Sequence, residues 1–76
     1  MESIREYDRV VLRADLPGEK LAARDVGTVV HVHRGGTAYE VEFVALDGET
    51  VALVTLEHLQ VRPVERREIT HARRLA

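Results

Sequence analysis

Seventy-six residues, 11 basic against 13 acidic side chains and no cysteine describe one small domain of formal net charge -2. That length lies near the lower limit at which a single core stands without a disulfide, a metal or a partner, so a marginal monomer or an oligomer is expected. The missing cysteine excludes a disulfide frame, a thiolate nucleophile and Cys-based zinc sites, and fits a reducing compartment.

The charge is unevenly placed. Residues 1–60 hold 6 of the 11 basic and 11 of the 13 acidic side chains, so the body is acidic and the C-terminal segment basic. The first residues, Met1-Glu-Ser-Ile-Arg-Glu6, contain no apolar leader-like run, and no stretch is long and apolar enough to cross a bilayer. These features predict a soluble cytoplasmic protein with no membrane partner.

Arg9-Val-Val-Leu12 is a short apolar run between charges and predicts a first strand over residues 8–13. Residues 14–20 contain Pro17-Gly18 and no periodicity, which predicts a loop, with Leu16 and Leu21 folding back over the core. The next stretch organises the chain. Residues 26–33 and 38–44 are alternating, β-branched runs joined by Arg34-Gly35-Gly36-Thr37, a strong hairpin signal. A period of two places Val26, Thr28, Val30 and Val32 on the expected core face, with Gly27, Val29, His31 and His33 opposite. Gly27 inside a strand predicts a bulge, a bend or a close backbone approach. Tyr39, Val41 and Phe43 alternate with Glu40 and Glu42, a half-buried strand with its acids in water.

Asp47-Gly48 signals a second hairpin, and residues 50–56 form a strand that is apolar on both faces, so something must cover its second face. Residues 57–60 read as one 3₁₀ turn before a last strand over 60–62, ended by Pro63. This gives a domain over 1–64 and a basic C-terminal segment over 65–76. In that segment Ile69, Ala72 and Leu75 have helical spacing, but Val64 is a poor N-cap, so helix and extended tail both remain open.

Five short strands, a long first loop, two tight hairpins and a one-turn helix before the last strand are the order of an SH3-like barrel, so the expected fold class is an all-β, five-stranded SH3-like barrel. Tyr7-Asp-Arg-Val-Val-Leu12, Asp15-Leu-Pro17, Asp25-Val-Gly-Thr-Val-Val-His-Val32, Tyr39-Glu-Val-Glu-Phe43, Asp47-Gly-Glu-Thr50 and Val61-Arg-Pro63 resemble a bacterial family of small domains of unknown function. The resemblance spans nearly the whole chain. It implies a barrel related in shape to the nitrile hydratase β-chain and to KOW modules, brings no activity, and suits an antitoxin, immunity or accessory role beside toxin-like proteins.

The chemistry is sparse. His31 and His33, two apart on a strand, point to one side as a chelating pair would, yet an outward His-x-His without Cys is ordinarily solvated, and no metal or other cofactor is assigned. The Gly-Gly turn joins strand to strand, whereas phosphate loops open a helix. The single serine, Ser3, lies at the N-terminus, leaving nucleophilic catalysis without a nucleophile, so no enzyme and no small-molecule substrate are expected. What remains is a protein-interaction module or homo-oligomer. Its candidate contact residues are Val51 and Leu53 on the two-sided strand and Ile69, Arg66, Arg67, Arg73 and Arg74 in the C-terminal segment. The alternative is a KOW-like nucleic-acid binder using Arg62, Arg66, Arg67, Arg73 and Arg74.

Overall fold

In the computed structural model, which describes residues 3–75, five strands follow the chain. They are β1 (Arg9–Leu12), β2 (Val26–His33), β3 (Ala38–Val44), β4 (Thr50–Glu57) and β5 (Val61–Pro63), with 3₁₀ turns at Pro17–Glu19 and His58–Gln60. All pairings are antiparallel. They make one open sheet of order β4-β3-β2-β1-β5, so β4 and β5 are its two edges.

The core lies on one side of that sheet. Val10 and Leu12 from β1, Val29 from β2, Tyr39, Val41 and Phe43 from β3, Ala52 and Leu56 from β4, and Val61 from β5 are all buried in one cluster. Leu21 joins them from the loop after β1, and Leu16 packs beside it, the two held together by a bridge across the 3₁₀ turn. With no α-helix among the described residues to cover the apolar side, residues from every strand reach a common core because the sheet curls. The β2–β3 turn requires left-handed backbone at Arg34, Gly35 and Gly36, which two glycines supply at little cost. The Tyr39 hydroxyl donates to the Gly36 carbonyl at 3.2 Å and ties that turn to the core ring.

The expected core face of β2 is corrected. Residues directly opposite one another in an antiparallel ladder share a face. Val10 opposes Gly27, Val29 opposes Val41 and Val32 opposes Tyr39, so the inward set is Gly27, Val29 and Val32. A bulge between Val29 and His31 inserts Val30 and reverses the parity. The period-two assignment of Val26, Thr28 and Val30 to the core therefore fails, and only Val32 falls where that pattern put it. Gly27 is inward because nothing larger fits: a Cβ there would lie 2.6 Å from Val41 Cγ1, 2.9 Å from Phe43 Cε2 and 3.0 Å from the Glu42 carbonyl.

Residues 65–75 form no helix. Arg67 takes a left-handed φ of 64°, which interrupts any helical turn, and Glu68 accepts the Glu65 N–H at 2.6 Å instead of feeding a helical ladder. No helix among the described residues is long and apolar enough to cross a membrane.

Candidate functional site

The two sheet edges differ in how they are guarded. β5 is three residues long and carries Arg62 and Pro63, both of which discourage a further strand. β4 is eight residues long, and Thr50-Val-Ala-Leu-Val-Thr-Leu56 contains no charge and no proline before Glu57. It pairs with β3 from Ala38↔Glu57 to Val44↔Thr50, and among the described residues nothing pairs with its other side. An uncharged edge of that length presents unpaired N–H and C=O groups to any extended segment.

A bulge between Phe43 and Val44 decides where the β4 side chains go. Ala52 and Leu56 are buried and Val54 packs half-buried beside them. Val51, left without a partner by the bulge, is also half-buried against the core and not on the outer face. Leu53 and Thr55 point outward, and Leu53 keeps 56% of its surface in solvent. Leu46 in the preceding turn and Leu59 in the following one are more exposed still.

The C-terminal segment is held by two arginine forks. Arg62 donates to both Glu68 oxygens, at 2.9 and 2.7 Å. That guanidinium, with the Glu65 N–H, holds the Glu68 carboxyl down to about 2. Arg73 reaches back 48 positions to Asp25, donating from Nε at 2.8 Å and from Nη2 at 2.5 Å, and also to the Lys20 carbonyl at 3.1 Å. Burial alone would raise the Asp25 carboxyl, but the Arg73 fork and the Ala22 N–H outweigh it and hold it below its usual value. The two arginines are correspondingly raised, chiefly by the same hydrogen bonds.

Of the predicted contact residues, Val51 and Arg73 line one open cleft of about 600 Å³, between the start of β2, the end of β3 with the turn after it, and residues 70–75. Leu53, Ile69, Arg66, Arg67 and Arg74 lie outside it. Arg66, Arg67 and Arg74 are exposed and make no ion pair among the described residues, and Ile69 is 85% exposed. Asp25 is the site residue that sequence reasoning missed; its only signal was an acid placed just before a strand in an acidic body with a basic tail.

His31 and His33 do share the outer face, their ring centroids 4.5 Å apart and edge to face. Glu40 Oε1 lies 3.3 Å from His33 Nε2, and Glu6 Oε2 lies 3.7 Å from His31 Nδ1. Among the described residues no three His, Cys, Asp or Glu side chains converge as a metal site.

Fold and edge together define a small all-β protein with one open antiparallel sheet. A family model described as Domain of unknown function (DUF4926) matches residues 6–63, and the chain belongs to that family. The matched span covers all five strands and ends at Pro63. No curated protein and no solved structure matches the chain.

Proposed function

We propose that this chain is a non-catalytic protein-interaction module of a bacterial cytoplasm, built as an SH3-like barrel and serving as an antitoxin, immunity or accessory subunit. The observation that carries the reading is the unguarded β4 edge with Leu53 exposed upon it. A partner's extended segment adds to β4, so that main-chain hydrogen bonds supply affinity and Leu53 and Thr55 supply contact on the outer face. The long first loop, the two hairpins and the 3₁₀ turn before β5 support the barrel assignment.

The clearly shifted charges are tied up in ion pairs. Among the described groups the resolved pKa shifts belong to two ion pairs, and they move carboxylates down and arginines up, away from the neutral range in which a general acid or base works. The KOW-like alternative is the weaker one, because Arg62 and Arg73 already have carboxylate partners that a nucleic-acid phosphate would have to displace.

The test is Leu53→Lys, a solvent-facing change that places a charge on the edge without entering the core. Wild type immobilised in an extract of the source cell retains its partner, whereas Leu53→Lys loses it, an expected weakening of at least about tenfold. Equal retention by both proteins would remove the edge from the binding site.

A further inference from the structure

The C-terminal segment sits on the sheet as a ligand would. Among the described residues no backbone hydrogen bond joins residues 65–75 to the rest of the chain; the last runs from the Val64 N–H to the Arg9 carbonyl. Every residue of the segment is classed as exposed, so little apolar burial fixes it in place. Its far end is anchored through Arg73, whose guanidinium makes three hydrogen bonds, two to Asp25 and one to the Lys20 carbonyl. Two residues on, Leu75 lines the same cleft as Leu21, Phe43 and Val51.

The receiving side is built into the frame. The Asp25 side chain is only 19% exposed and accepts the Ala22 N–H at 2.9 Å, while its backbone carbonyl accepts the Leu12 N–H of β1 at 2.8 Å. The carboxylate is thus aimed before any arginine arrives, and a planar fork matches it better than an ammonium does. A rigid acceptor beside a cleft that also offers Leu21, Phe43 and Val51, met by a loosely laid segment, has the form of a recognition site with an exchangeable occupant.

We infer that Asp25, the Lys20 carbonyl and the adjoining cleft bind an extended partner segment carrying an arginine followed two residues later by an aliphatic side chain. Residues 70–75 hold this site in cis. The partner displaces Arg73 from Asp25 and releases the C-terminal segment. This site meets β4 only at Val51, while Leu53 and Thr55, the outward residues of the β4 edge, lie outside it.

The test uses the full chain and a capped synthetic peptide of the sequence of residues 69–75 as the probe. Arg73→Ala vacates the site without touching the core, and it binds the probe about tenfold more tightly than wild type does, because a tethered competitor acts at an effective concentration in the millimolar range. Asp25→Asn in the Arg73→Ala background keeps an oxygen for the Ala22 N–H and loses the gain. A probe with lysine in place of its first arginine binds several-fold more weakly. Leu53→Lys leaves probe affinity unchanged, which separates failure here from failure of the edge. Equal probe affinity in wild type and Arg73→Ala, no binding by Arg73→Ala, or indifference to Asp25→Asn overturns the inference. So does a wild-type dimer lost in Arg73→Ala, which gives the site to a second copy.

Discussion

At the scale of single residues, the strongest electrostatic feature is the Arg62 fork on Glu68. A carboxyl held low in the folded chain takes up its proton later than in the unfolded chain. Its contribution is therefore complete above its unfolded value of about 4.5 and is lost as pH falls toward about 2. The pair keeps about a third of each side chain in solvent, 29% for Arg62 and 33% for Glu68, so salt screens it and its share of global stability is small. The expected result is local: Glu68, followed by its carboxyl carbon shift, titrates near 2, and Arg62→Gln moves the midpoint up toward the ordinary range. A wild-type midpoint near 4.5 would mean that the fork does not form in solution. A basic tail on an acidic body made charge pairing expectable, but the partners of Arg62 and Arg73 were not legible in the sequence, because residues 6 and 48 positions apart carry no periodic signal.

At the scale of elements, β2 shows how pattern can be right about a strand and wrong about its face. Its extent, its hairpin and the register-independent burial of Tyr39, Val41 and Phe43 follow from β-branched alternation and the Gly-Gly turn. The inward set does not, since one inserted residue at Val30 reverses the parity and a glycine stands where a bulky apolar side chain would be sought. Gly27→Ala tests this directly. Its methyl group has backbone as well as side-chain atoms in its way, so the variant is expected to lose about 2 kcal/mol of stability and some ~10 °C in melting temperature by chemical and thermal unfolding. An unchanged melting temperature would place Gly27 on the outer face after all. In the C-terminal segment the spacing of Ile69, Ala72 and Leu75 left helix and extended tail open, and without a good N-cap the left-handed turn at Arg67 prevails.

At the scale of the whole molecule, a chain of this size fills the concave side of one curled sheet and leaves its longest edge unpaired. The apolar character of residues 50–56 made that strand conspicuous in the sequence, yet only the strand order identifies it as an edge. The segment after β5 flanks the cleft at one end of the sheet, which β4 reaches through Val51, and among the described residues it makes no strand pairing with β4. The most direct measurement is amide hydrogen exchange along residues 50–57, in the isolated monomer and again with the partner retained from the source extract. Alternate β4 amides, those turned away from β3, are expected to exchange freely in the monomer and to become protected in the complex. Slow exchange of those amides in the monomer, or a complex that leaves them unprotected, would contradict the assignment of β4 as the edge that receives a partner strand.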